Sequence, residues 1–299
     1  MRFVSLRTSQ HGQAVGVVIA PDQVLDLSHP ALASRFPDGR WTLKQLIEEG
    51  LSDWSKRIAD WPTPAEAVQP LSAAQLLAPI GRSNKVMGAA YNFTDALKER
   101  EMSPPAEPVV FFRSGSTVIG PTAPILIPPD VGNVGYEGEL AVVIGRHAMS
   151  VKEEHAMAYV AGYMAHNDVS GSGLIKQDQG NFVRGKNLPA SAPCGPWLAT
   201  ADEIDDPHNL SIELDIDGRP LQRGHTSTML FKIPQLISWI SHRVPLEPGD
   251  IIATGTPAGT AASHSPAAWL TPGQVVSVRV QGLGELRNPT EKGAAFLAN

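Results

Sequence analysis

The chain has 299 residues, of which 42% are hydrophobic and 18% charged, and its net charge is −6. That acidic balance, with no block of lysine and arginine, excludes a nucleic-acid-binding face, and no run approaches the ~18 consecutive apolar residues of a membrane span. A single cysteine, Cys194, excludes an internal disulfide framework; with a start that lacks a signal peptide's charged head and apolar core, it predicts a cytoplasmic globular protein, with an enzyme as the leading class.

Three short runs, RFVSLR, QAVGVVIA and QVLDLS, read as strands separated by the turn-forming HG and PDQ. Leu43, Leu46 and Ile47 then show helical spacing in the stretch 41–61, interrupted or capped by Gly50. Residues 62–80 are rich in proline and alanine and read as a linker. A small N-terminal α/β domain over residues 1–75 is therefore expected, followed by a larger domain over 76–299.

The larger part is dense in glycine, proline and short β-rich runs, the clearest being ELAVVIG, AYVAGYMA, LSIELDI and VVSVRVQGLGELR. Asp217-Gly218 is a two-residue hairpin signal, and Ile233, Leu236, Ile237 and Ile240 mark one helix. LEPGDIIATG and LTPGQVVSVRV echo one another, each a tight turn feeding a strand. These features predict an α+β, mainly β fold with a rolled or barrel-like core.

In VGYEGELAVVIG, residues 134–145, two acids enter an apolar strand together. Residues two apart share a face of a strand, so Glu137 and Glu139 lie on one side, continued by Ala141 and Val143, with Tyr136, Leu140, Val142 and Ile144 on the other. Both sides are apolar beyond the acids, which predicts a strand buried on both faces. A Glu-x-Glu pair at a strand end is by itself more often an exposed edge. A second apolar run, however, ends in Asn167-Asp168. Three carboxylates at the ends of buried strands make an oxygen-only site for Mg²⁺, Mn²⁺ or Ca²⁺, because buried anions need a counter-charge and hard oxygens select hard cations.

Taken in order, GYEGELAVVIG, GYMAHNDVSG, RGKNLPASAPCGPWLAT, LEPGDIIATGTPAG and LTPGQVVSVRVQGLGELRN resemble the signatures of the fumarylacetoacetate hydrolase family over about residues 84–290. The resemblance implies a mixed β-sandwich roll, a homodimer, and a divalent metal, usually Mg²⁺, held by Glu137, Glu139 and Asp168. It implies small 2-oxo or 1,3-dicarbonyl acid substrates such as acylpyruvates, whose enolate the metal stabilises. Lys186, in RGKNLP, matches the family's active-site lysine, and Thr256, in TGTPAG, lies on the loop that closes over substrate.

The chain also departs from that pattern. Hydrolases of the family carry Asn-Tyr-x-x-His-x-x-Glu on a lid, whose His-Glu pair activates water. YNFTDALKE instead places Asn92, Phe93 and Glu99 in register with Ala96 at the histidine position, and alanine accepts no proton. Glu99 could act alone as base if burial raised its pKa, and His166 could approach the metal from beside Asp168. Where the family often has NDVSARD, with an arginine able to meet a substrate carboxylate, this chain has Gly171, Ser172 and Gly173. Arg113 is then the candidate carboxylate clamp. Two activities follow: a metal-dependent hydrolase cleaving a C–C bond of a 2,4-dioxo acid, or a lyase or isomerase (decarboxylase, dehydratase or tautomerase) that needs no water-activating histidine.

Overall fold

The computed structural model describes residues 1–8, 12–36, 41–81 and 85–297. The N-terminal runs form an antiparallel meander of β1 (Arg2–Leu6), β2 (Ala14–Ala20) and β3 (Gln23–Asp26). Helix α1 (Leu43–Ala59) starts at a capping box: Gln45 N donates to Thr42 Oγ1 at 3.3 Å and Thr42 N to Gln45 Oε1 at 2.8 Å. Gly50, at φ 109° and ψ 88°, breaks the helical backbone midway, so it interrupts this element without ending it.

The stretch 62–80 is not a free linker. Val68–Gln69 pairs with β3 and Leu76–Leu77 pairs with β1. Pro64 and Pro70 are themselves extended, each capping a single 3-10 turn (Ala65–Ala67 and Leu71–Ala73), and the extended residues after those turns are the ones that the sheet takes up.

The remaining elements are β4 (Lys85–Ala90), α2 (Thr94–Glu99), β5 (Val109–Ser114), β6 (Gly138–Ile144), β7 (Val160–Asn167), α3 (Ser172–Gln177), α4 (Phe182–Gly185), β8 (Ala192–Thr200), β9 (Ser211–Ile216), β10 (Arg219–His225), α5 (Ile233–Ser241), β11 (Ile251–Ala253), β12 (Val275–Val280) and β13 (Glu285–Lys292). Along one open path the large sheet runs from Val68–Gln69 through β3, β2, β1, β8, β7, β6, β11 and β4 to β5. β1 pairs with β8, so the sheet is continuous across residue 75. A second sheet has the order β10, β9, β12, β13 and Ile125–Ile127. The fold is α+β and mainly β, and neither sheet closes into a barrel among the described residues.

Two cores flank the large sheet. Leu140, Val142 and Ile144 of β6 pack with Leu214 and Val278 of the second sheet and with Ile233, Leu236, Ile237 and Ile240 of α5. Ala141 and Val143, on the opposite face, pack in the core that holds α1 through Leu43, Leu46, Ile47 and Trp54. The strand that introduces the glutamates is therefore buried on both faces, as its pattern predicts. Asp217 and Gly218 take φ of 51° and 77° in the β9–β10 hairpin, a primed turn. Gly249 and Gly273, at φ 83° and 95°, shape the turns of the two echoed motifs.

Candidate metal centre and its cavity

β6 and β7 are antiparallel neighbours, with Gly138 opposite Asn167 and Glu139 opposite His166. That register brings the start of one strand to the end of the other. Asp168 N donates to Glu137 O at 2.8 Å and Asn167 Oδ1 accepts from Glu137 N at 3.1 Å, which fixes the backbone on both sides of the acids. One carboxylate oxygen from each of Glu137, Glu139 and Asp168 lies within 4.8 Å of the others.

Two cations accompany the three acids. Lys186, at the C-cap of α4, sends Nζ to Glu137 Oε2 at 2.7 Å and Asp168 Oδ2 at 2.6 Å. Its Nζ also lies 4.8 Å from the centre of the Phe111 ring. Arg113 pairs with the other oxygen of Asp168 and donates to Ser191 O at 2.7 Å, Ser191 Oγ at 2.6 Å and Val169 O at 3.3 Å. Burial pulls the guanidinium down to about 10, leaving it charged at neutral pH. Glu139 accepts Gly255 N at 3.1 Å, but burial and then the charge of Glu137 push its carboxyl up to about 8. Burial likewise lowers Lys186 against the pull of Glu137.

Three ionised acids against two cations would leave one negative charge uncompensated; burial and the charge of Glu137 instead raise the Glu139 carboxyl, so it holds a proton in the metal-free protein. The donor set is all oxygen and compact, and Lys186 Nζ already stands where positive charge is attracted. These residues fit a hard divalent cation.

The centre opens into a cavity of about 340 Å³. Glu137, Glu139 and Lys186 form its polar end, and Phe111, Phe182, Trp269, Leu97 and Ile175 supply much of the remaining wall. The Phe111 and Phe182 rings lie 5.0 Å apart between centroids.

Several expected roles need correction. Arg113 is fully buried, absent from the cavity wall and committed to Asp168, Val169 and Ser191, so it braces a carboxylate of the chain and is unavailable to a substrate. Alternation along β5, with Phe111 and Arg113 buried and Phe112 exposed, is the sequence signal that shows this side. Glu99 is exposed, lies outside the cavity wall and accepts Gly259 N at 3.1 and 3.2 Å, so the burial that a lone base required is missing. His166 is buried with Nδ1 2.8 Å from Pro193 O, and burial pulls it down to about 3, a neutral packing residue outside the acidic cluster. Thr256 lines the cavity, but its hydroxyl donates to Gly138 O at 2.9 Å and accepts from Gln222 Nε2 at 2.9 Å. Ala96 lines the cavity as well. Arg100, Lys176 and the aromatic wall were not singled out from the sequence.

The profile of the fumarylacetoacetate (FAA) hydrolase C-terminal domain matches residues 85–291. The chain belongs to the fumarylacetoacetate hydrolase family. It is 36% identical to the human mitochondrial oxaloacetate tautomerase FAHD2A over 249 residues, 83% of this chain and 79% of that protein. With the Xenopus laevis mitochondrial oxaloacetate tautomerase fahd2 it shares 39% over 219 residues, 73% of this chain and 69% of that protein. Among solved structures it resembles maleylpyruvate hydrolase from Sphingobium sp. SYK-6 in complex with manganese (II) ion and pyruvate, at TM-score 0.78 and 28% identity over 98% of this chain and 100% of the other. It also resembles the 2-hydroxyhepta-2,4-diene-1,7-dioate isomerase from Mycobacterium marinum, at TM-score 0.75 and 28% identity over 98% of both chains. This family membership makes the protein an enzyme of a superfamily that includes hydrolases, isomerases and tautomerases. No helix among the described residues is long and apolar enough to cross a membrane.

Proposed function

We propose that the protein is a divalent-metal-dependent tautomerase or isomerase of 2-oxo acids, which relocates a proton next to the oxo carbon without adding water across a C–C bond. One observation carries the reading. Ala96 forms the cavity wall at the position matching the hydrolase histidine, while Glu99 is turned onto Gly259. The wall of α2 thus presents a methyl group where water activation needs a base. The tautomerase relatives, at 36% and 39% identity, point the same way.

In this reading Glu137, Glu139 and Asp168 hold Mg²⁺ or Mn²⁺, with Ca²⁺ able to occupy the same oxygens. A cation bound there would supply Lewis acidity to the oxygens of a 2-oxo acid. Arg113 keeps the Asp168 carboxylate aimed, and Lys186, at the polar end of the cavity, balances the negative charge that develops on an enolate. Phe111, Phe182 and Trp269 exclude water from the carbon skeleton. Net change is confined to one proton leaving carbon and one arriving at oxygen, so no bond to a second molecule is needed.

The test follows proton exchange at C3 of 2-oxo acids in D₂O by NMR, with and without Mn²⁺ or Mg²⁺. Metal-dependent exchange with the substrate otherwise intact is expected; stoichiometric cleavage of a 2,4-dioxo acid to pyruvate and a second acid would overturn it. Hydrolysis of an acylpyruvate is the second reading, favoured by the likeness to maleylpyruvate hydrolase. We further propose that the working unit is a homodimer in the cytoplasm. The exposed Phe112 and Val183, joined through Asn187, offer apolar surface for such contact, and sedimentation measures it.

A further inference from the structure

A row of aromatic rings leads away from the metal end of the cavity. Lys186 Nζ, held by Glu137 and Asp168, stands 4.8 Å from the centre of the Phe111 ring. Phe111 lies 5.0 Å from Phe182 at an interplanar angle of 35°, and Phe182 lies 6.3 Å from Tyr91 at 55°. Both spacings fall within the ~4.5–7 Å over which aromatic rings attract one another. All three residues line the cavity.

Each ring is set by its place in the fold. Alternation on β5 buries Phe111, and its ring tip rests on Gly88 of β4, where a Cβ would lie 2.1 Å from Phe111 Cζ. Phe182 opens α4 four residues before Lys186, so one short helix supplies both a ring and the ammonium. Tyr91 follows the end of β4 at φ 59°, a left-handed conformation that a non-glycine residue seldom takes.

The charge of the wall follows the same pattern. Lys186 is the one buried cation among the described lining residues and is committed to the acids, whereas Arg100 and Lys176 are exposed. Ser172 and Ala96, both in the wall, stand where the family pattern often has an arginine and a histidine. Both departures remove a charged or basic group. A second carboxylate drawn onto the ring row would lose its hydration with no buried cation free to meet it. A flat apolar group gains from the same surroundings.

We propose that Phe111, Phe182 and Tyr91 form a binding site for an aromatic group of the substrate, which makes the preferred 2-oxo acid a 3-arylpyruvate with a single carboxylate. The proposal rests on the 2-oxo acid reading of the metal centre. In such an acid the ring is two C–C bonds, each ~1.5 Å, from the oxo carbon. That short reach suits a ring row that begins 4.8 Å from Lys186 Nζ. Tautomerisation breaks one C–H bond at C3 and forms one O–H bond on the oxo oxygen, and the new C=C bond is conjugated with the aryl ring. The three aromatic residues take no part in moving the proton; they select the acid.

The protein with Mn²⁺ is titrated by calorimetry with phenylpyruvate, 3-cyclohexylpyruvate, pyruvate and oxaloacetate, and C3 proton exchange of each acid above its uncatalysed rate is followed by NMR in D₂O. Phenylpyruvate should bind about 10- to 100-fold tighter than pyruvate, the scale of burying a phenyl group. It should also bind tighter than oxaloacetate, and about threefold or more tighter than the puckered cyclohexyl acid. Phe182→Leu should weaken phenylpyruvate about three- to tenfold more than pyruvate, and Phe182→Tyr should restore the preference. Phenylpyruvate binding no tighter than oxaloacetate or the cyclohexyl acid in the unaltered protein, or an equal loss for both acids in Phe182→Leu, overturns the proposal. If phenylpyruvate binds with this selectivity and no acid exchanges its proton, the tautomerase reading fails and the aryl site stands. If oxaloacetate exchanges and phenylpyruvate gains nothing, the aryl site fails and the tautomerase reading stands.

Discussion

The raised Glu139 carboxyl makes a quantitative prediction about metal uptake. At about 8 in the metal-free protein, against an ordinary value of 4.5, it is protonated at pH 6 and a cation must displace that proton to bind. The sign follows from the elevated folded value: the metal-free protein gains stability from the bound proton below about 4.5 and loses it as pH rises through 8. Metal affinity runs the other way, rising about tenfold per pH unit up to 8 and then levelling, so pH 8 should bind about 100-fold tighter than pH 6. At a cation concentration of 100 Kd the stabilisation is about 2.7 kcal/mol. Unfolding entropy of about 2.1 cal/mol/K per residue, over a chain of 299 residues, makes this a rise in Tm of about 4 °C. Calorimetric titration of Mn²⁺ into chelator-treated protein at pH 6, 7 and 8, with melting curves alongside, measures both. Glu139→Gln should bind weakly at every pH and lose the slope. Affinity that is flat from pH 6 to 8, or a variant that binds as the parent does, would refute the reasoning.

Other changes test the surrounding structure. Ala96→His returns a proton acceptor to the cavity wall and should raise acylpyruvate hydrolysis by about 10²-fold or more where water can reach it; product analysis decides it, and no gain would count against α2 as the wall of the reaction chamber. Arg113→Met leaves Asp168 buried with one partner fewer and should cost about 3 kcal/mol in a denaturant melt, together with metal affinity. A Cβ on Gly88 would lie 2.1 Å from Phe111 Cζ, so Gly88→Ala should destabilise by about 1–3 kcal/mol and, by displacing a cavity wall, raise KM.

What the sequence made legible followed from periodicity, and what it hid followed from partners. Alternation placed Glu137, just before β6, on the side of Glu139 and predicted burial of both faces of the strand; the two cores bear out that burial. The hairpin at Asp217-Gly218 and the turns before β11 and β12 were readable because each needs a particular backbone conformation. Residues 62–80 misled because proline content signals an extended chain without saying whether a sheet edge is waiting for it. Arg113 and Glu99 misled in a related way. A guanidinium or carboxylate in sequence reads as available, yet Ser191, Val169 and Asp168 claim one and Gly259 the other, contacts that close only across 55 to 160 positions of chain.

The division of labour between the two bound cations explains why the centre tolerates so much buried charge. Removing either partner from a buried ion pair leaves an unsolvated charge, whereas a network with several donors spreads that cost. Arg113 pairs with Asp168 through one terminal nitrogen and gives the other to Val169 O, Ser191 O and Ser191 Oγ; it is buried and absent from the cavity wall, so it has no route to substrate. Lys186 reaches Asp168 and Glu137 from the cavity side and is the only one of the two in the wall. A planar, forked guanidinium suits the fixed brace; a compact ammonium on a flexible stem suits the position where charge must redistribute as a cation and an acid arrive. Exchanging them, as Arg113→Lys with Lys186→Arg, should therefore preserve the net charge of the site and still abolish turnover, and activity in that double variant would show that charge alone, not geometry, is what the centre requires.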